Sequence, residues 1–342
     1  VWNYDGKAWS APEADQSLSQ ELYGAWGPSA DDVVAVGVRK AYRRAGGWKP
    51  LAFDATDLYG AHGGFAVGQR GAIYKTGGEL ARVSSGVTEA LEDVWSGGGK
   101  AVAVGRAGTV LVRDGKTWVT TQSGTTANLR GVWGASADAL IVVGDDGTML
   151  TGAPGSLKPA DSGTKQGLRG VGGHGDTVFA VGVGGTILQQ SGGAWKATAL
   201  GGKPLAAVWV SEGGKAVAVG EAGTVVHYDG KGWSAKPSGT LSHLHAVWGR
   251  SDSEIYAAGN QGVVIKFDGN SWSKLPEVKV GAEAAWFTGV VGQRVVASRY
   301  RRIGAVGSLV RSVSSVLIVA VVFVIERPGV ASRRGQPRLG IW

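Results

Sequence analysis

The sequence predicts an all-β fold, a β-propeller of seven four-stranded blades with an eighth left open. Three observations predict it. A unit of about 38 residues recurs along most of the chain. Each unit carries four strand-sized runs separated by turn signals, as a radially repeated meander requires. Glycine, at 59 of 342 residues, interrupts the chain too often for helices and follows no collagen period.

The unit over 205–240 is the clearest. Residues 205–209 (L-A-A-V-W) form a short apolar run ending in an aromatic. Residues 215–220 (K-A-V-A-V-G) form a second run closed by glycine, and 221–223 are turn-sized. Residues 224–228 are rich in β-branched and aromatic side chains. Asp229-Gly230 then signals a type I′ hairpin, whose two central residues take positive φ. Trp233 opens a fourth, more polar run. A lone sheet this small cannot cover both faces, so the units must stack on one another.

The unit repeats with even spacing. The glycines closing the second runs are Gly37, Gly68, Gly105, Gly144, Gly182, Gly220 and Gly259, separated by 31, 37, 39, 38, 38 and 39 residues. The first-run aromatics are Trp26, Trp95, Trp133, Trp209 and Trp248, with His62 and Gly172 in the same slot. The fourth-run slot holds Trp9, Trp48, Trp118, Trp195, Trp233 and Trp272, with Leu80 and Leu157 as substitutes. These tryptophans are expected to pack between adjacent blades. The Asp-Gly pair is intact at Asp5, Asp114, Asp229 and Asp268, and has decayed at Ala153-Pro154 and Ser191-Gly192.

The ends are less regular. Residues 1–9 match 225–233, so the sequence begins inside a third strand. Residues 1–15 and 285–298 are expected to share a split closing blade, which makes 1–298 the propeller. From Arg299 onward the pattern stops, and Val316 to Ile325 is a run of ten apolar residues. That is half a membrane span, so a buried strand is the leading reading and a membrane-tethered surface protein a second alternative. An altered reading frame over 299–342 is a further reading of the tail.

Charge separates the same two regions. The chain has 35 basic and 27 acidic residues. Setting aside the eight arginines and one glutamate of 299–342 leaves 27 basic and 26 acidic residues in 1–298. A nearly neutral repeat region lacks the basic stripe of a nucleic-acid binder. The absence of cysteine excludes disulfides and thiolate chemistry.

The units, read as L-x-x-V-W-G followed by A-V-G-x-x-G-T-x-x-x-x-D-G-x-x-W, resemble the bacterial propellers related to the photosystem II stability and assembly factor. The resemblance covers about residues 1–275. They are more distantly similar to the Asp-box repeats of sialidase-type propellers, although Asp229 to Trp233 is one residue shorter than that box. The resemblance implies a scaffold or assembly role in an extracytoplasmic bacterial setting. Its sialidase side implies a glycan-acting hydrolase as the alternative function. That chemistry needs an arginine cluster, a tyrosine nucleophile and acid/base carboxylates, and no nucleophile can be assigned.

Other chemistry is sparse. His243 and His245 alternate on one expected strand, but two histidines fall short of a zinc set. Asp145-Asp146 before Gly147 reads as a solvated acidic turn. No phosphate loop, dinucleotide fingerprint or nucleophile elbow occurs in a strand–helix context. No catalytic residue, metal or cofactor is expected, and a monomer is.

One slot stands out against the fixed frame. The residue after the first-run leucine is Tyr23, Tyr59, Glu92, Arg130, Arg169, Ala206 and His245 in successive units. It varies and is mostly polar while its neighbours repeat. In a propeller the first strand lies nearest the axis. The turns between second and third strands add Arg70, Arg106, Asp145, Asp146, Glu221, Asn260 and Gln261, together with Gln69. Both sets are expected on one face, where they would meet a protein or glycan partner or form a solvated rim.

Overall fold

The computed structural model describes residues 22–29 and 32–276. Beyond them it describes only the strand pairs 3–4 with 9–10, 279–280 with 283–284, and 296–297 with 321–322. The split closing blade and the nature of the 299–342 tail therefore fall outside the described residues. Within them, seven four-stranded antiparallel sheets follow one another over 22–50, 58–83, 91–121, 129–159, 168–199, 205–235 and 244–274. Numbered as blades 1 to 7, they form a seven-bladed β-propeller. The first strand of each blade packs on the first strand of the next, so first strands are innermost.

Blade 6 shows how the unit produces its sheet. Its strands are Leu205–Val210, Ala216–Gly220, Val225–Tyr228 and Trp233–Ala235, joined in sequence order. The second strand is buried along its whole length. A strand sandwiched between two neighbouring blades has no solvent face, which is why A-V-A-V does not alternate with polar residues.

The closing glycine is fixed by close approach. A Cβ on Gly220 would lie 2.1 Å from the carbonyl oxygen of Pro204. The next residue, Glu221, donates its N–H to that same oxygen at 2.9 Å. One carbonyl thus ties the end of the second strand to the entry of the first. The arrangement recurs in blade 4, where Asp145 N–H donates to Asn128 O beside Gly144.

The core lies between blades. The fourth-strand tryptophan of one blade packs on an aromatic of the preceding one. Trp118 meets Phe65 edge-on at 5.3 Å, and Trp233 meets Phe179 at 5.0 Å. Trp272 donates its indole N–H to His227 Nε2 at 2.8 Å. Burial, with Lys236 adding to it, holds His227 down to about 4, so the ring stays a neutral acceptor. The first-strand tryptophans lie over glycines of the following blade: Trp95 over Gly134, Trp133 over Gly173, Trp209 over Gly249. Trp133 remains part-exposed, so it is not the enclosed core residue that its slot suggests.

The hairpins differ from the type I′ expectation at all three described Asp-Gly pairs: in blade 3 Asp114 pairs with Thr117 and only Gly115 takes positive φ, and blades 6 and 7 have longer loops. Tyr228 pairs with Trp233, leaving a four-residue loop in which Asp229 Oδ1 accepts the N–H groups of Lys231 and Gly232 at 2.8 and 2.9 Å. Asp268 does the same for Asn270 and Ser271. Only the glycine takes positive φ there. The aspartate works through its side chain, as an Asx turn, rather than through its backbone.

Candidate functional site

The varied slot has a structural cause. In every blade the pairing between first and second strands slips at that residue. In blade 3 Leu91 pairs with Gly105 and Asp93 with Val104, leaving Glu92 as the extra residue of a β-bulge. The same bulge holds Tyr23, Tyr59, Arg130, Arg169, Ala206 and His245. A bulge re-aims one side chain without disturbing the ladder on either side. The preceding leucine stays fully buried in all seven blades, for example Leu91 and Leu129. The bulged side chain keeps access to solvent.

The turn between second and third strands supplies the second set. It is a single 3-10 turn whose middle residue takes a left-handed backbone: Arg70, Ala107, Asp146, Ala222 and Gln261, with φ of 52°, 50°, 56°, 50° and 58°. An L-residue in that region is disfavoured by roughly 1–2 kcal/mol. Blade 5 uses Gly184 instead. The apex side chains of Arg70, Asp146 and Gln261 are exposed.

The two sets meet around the axial mouth. In blade 3 Arg106 Nε donates to Glu92 Oε1 at 2.8 Å. That bond raises the arginine further above its ordinary value. In blade 4 Arg130 grips Asp145 through Nε and Nη2 at 2.9 and 2.7 Å, and Asn128 donates to the same carboxylate at 2.9 Å. Arg130 Nη1 also lies 3.9 Å from Glu92, linking blades 3 and 4. In blade 7 His245 Nε2 and Asn260 Oδ1 are 2.6 Å apart. Blade 6 offers only Ala206 in the slot, and its Glu221 is taken by Arg169 of blade 5 at 2.9 Å. Ser242 donates to Gln261 at 2.9 Å, and the rings of Tyr23 and Tyr59 lie 5.7 Å apart.

These contacts pair most of the sequence-selected residues, through ion pairs across blades 3 to 6 and uncharged contacts in blades 1, 2 and 7, while Arg70 and Asp146 stand outside them. Glu92 is 17 % exposed and Arg169 38 %, so the rim stays open to a partner while its side chains are held in place. Ion pairs this exposed contribute little to stability. Asn128 and Ser242 also belong to the rim; they lie one and two residues before the first-strand leucines Leu129 and Leu244, where the units carry no repeat signal. His243 and His245 do not form a metal set. Among the described residues no group of three histidine, aspartate or glutamate side chains is placed to hold a metal.

Two titratable groups bear on catalysis. Tyr74 donates to Asp54, which also accepts Thr56 and Arg82. Burial and the Asp54 bond push the Tyr74 hydroxyl up to about 12, the wrong direction for a nucleophile. Tyr74 sits on the third strand of blade 2, and Asp54 on the connection that leads into that blade from blade 1. Asp93 follows the bulge in blade 3, where the other blades carry Gly24, Gly60, Gly131, Gly170, Ala207 and Ala246. Its oxygens accept Val94 N–H at 2.8 Å and Val132 N–H of blade 4 at 3.0 Å. Burial pushes it up to about 6, against the pull of those two bonds. The residue keeps some accessible surface, but the carboxylate itself is enclosed between innermost strands. It is a clasp between blades 3 and 4.

That clasp predicts a pH effect with a definite sign. A carboxyl at about 6 in the fold and 3.8 in the unfolded chain favours folding while protonated. Its contribution is complete below pH 4 and is lost as pH rises through 6. Two pH units correspond to at most about 3 kcal/mol. Asp93→Asn is expected to remove this dependence. Urea unfolding at pH 4 and pH 7 checks it, because the stability difference between variant and wild type should move in the variant's favour at pH 7.

No family model matches the sequence, and no curated protein sequence matches it. Solved structures do. The chain is similar to YCF48 bound to D1 peptide at 16 % identity and a TM-score of 0.58, covering 74 % of this chain and 95 % of that one. It is similar to YCF48 from Cyanidioschyzon merolae at 14 % identity and 0.55, covering 82 % and 93 %. Sqt1 of Chaetomium thermophilum matches at 14 % identity and 0.64, covering 83 % and 94 %. At these identities the likeness is one of fold, and it agrees with the propeller expected from the repeats.

Proposed function

We propose that the chain is a non-catalytic binding propeller whose axial mouth engages a protein partner. One observation carries the reading: a bulge repeated in every blade presents a side chain that differs from blade to blade, on a frame that does not differ. Packing explains the frame, but packing gives no reason for tyrosine, glutamate, arginine and histidine to alternate in one slot. A ring of dissimilar, pre-positioned groups suits the recognition of one irregular surface. Pairing Arg130 with Asp145 and Arg169 with Glu221 holds the guanidinium groups before the partner arrives.

The YCF48 structure, which holds a peptide, supports a peptide or protein segment as the class of partner. The glycan-hydrolase reading is the alternative, and it rests on the sialidase side of the repeat resemblance alone. The extracytoplasmic setting implied by the repeat resemblance is part of the same proposal.

The test is an interaction screen with the full chain, comparing wild type with the Arg130→Ala, Arg169→Ala double variant. Protein partners retained by the wild type are expected to bind the double variant about tenfold more weakly, the loss of one or two charge-assisted contacts. Equal retention by both rejects the mouth as the binding face.

A further inference from the structure

A second site lies between blades 4 and 5, at the end of the ring opposite the mouth. Its origin is a vacated slot. In the third strands the last residue to face the following blade is Arg43, Lys75, Gln189, His227 and Lys266 in blades 1, 2, 5, 6 and 7. In blade 4 it is the short Thr151, beside Gly152. Nothing long fills the space that those five blades fill. A cleft of about 730 Å³ results, within the range of small-molecule sites.

The walls have a mixed chemistry. Trp133 contributes the half-exposed flank of its indole from blade 4, beside Thr151 and Gly152. Blade 5 contributes Asp176, Gln190 and Ser191. Asp138 on the rim is already committed to Lys100 at 2.5 Å. The side chains of Thr151, Asp176 and Gln190 make no hydrogen bond within the described residues, which leaves a hydroxyl, a carboxylate and an amide at the cleft.

We propose that this cleft binds a neutral saccharide of one or two rings. A pyranose has an apolar C–H face that suits the flank of an indole, and a rim of hydroxyls that both donate and accept. Asp176 accepts two such hydroxyls, and the Gln190 amide donates to one and accepts from another. A purely apolar ligand would leave these groups unpaired. A compact cation would meet a single exposed carboxylate and otherwise neutral donors. The site shares no residue with the mouth, so its fate is independent of the function proposed above.

The experiment applies the full-length protein to an array of immobilised mono- and oligosaccharides, followed by titration of the retained sugar against tryptophan fluorescence. Thr151→Lys introduces the residue that blade 7 carries at the same register, Lys266. Asp176→Asn is exposed and leaves the fold untouched. The expected result is retention of one saccharide class by the wild type and about tenfold weaker binding by each variant, the scale of one or two lost hydrogen bonds. An array without signal overturns the proposal. So does equal binding by wild type and Asp176→Asn, or preference for guanidinium over every sugar tested.

Discussion

Trp118→Ala is expected to destabilise the propeller by about 3–5 kcal/mol. The indole is 7 % exposed and stands edge-on against Phe65 of blade 2 at 5.3 Å, with the guanidinium of its cross-strand neighbour Arg113 over the Phe65 ring at 5.3 Å. Removing it opens a cavity across the blade 2–3 interface that strands on either side cannot close, since each is pinned by its own ladder. The indole N–H has no acceptor among the described residues, so the loss is one of packing rather than of a hydrogen bond. Trp118→Phe keeps a ring against Phe65 and removes that unpaired donor, and is expected to lose far less. Urea unfolding of the three proteins measures both differences. Trp133→Ala is expected to fall below the same range, because Trp133 is part-exposed over the cleft.

Gly220→Ala is expected to cost about 3 kcal/mol, although it adds a single methyl group. The Cβ would sit 2.1 Å from Pro204 O, and both partners are backbone. Relief requires moving the entry of the first strand away from the end of the second. That breaks the bond from Glu221 N–H to the same oxygen and shifts a residue of the mouth. Gly78→Ala is the control: nothing lies within 4 Å of the added carbon and its φ is ordinary, so no comparable loss is expected. Denaturant midpoints for the two variants separate close approach from a general intolerance of side chains on glycine.

Much of this was legible in the chain because each unit states it again. The second strand reads as an unbroken apolar run closed by glycine, and both properties follow from being enclosed between two blades. Trp118, Trp233 and Trp272 recur because each must reach the preceding blade. The varied slot was visible as variation against a constant background, but not its cause. A β-bulge is a property of pairing, and no single strand sequence records which residue will be left out of register. The Asp-Gly signal placed the hairpins correctly and gave the wrong reason for them in blades 6 and 7. The side chains of Asp229 and Asp268, not their φ angles, organise those loops.

What stayed hidden depends on residues that do not repeat. Asp93 is a carboxylate where the frame wants glycine or alanine, and its partner Val132 is 39 residues away. The cleft beside Thr151 exists through a short side chain, which only comparison at the same register reveals. Arg169 reaches Glu221 because Ala206 leaves that acid without a partner in its own blade. Such pairing across blades requires the ring to be closed around its axis before it can be seen.

The most direct test of the mouth as a binding face is amide hydrogen exchange on the full chain, alone and with a protein partner recovered from the interaction screen. The account predicts slowed exchange in the turns at 69–71, 106–108, 145–147, 183–185, 221–223 and 260–262, which all open on the mouth. Slowed exchange confined to the opposite end of the ring, in the turns at 98–99, 137–138, 175–176 and 252–253, would contradict it.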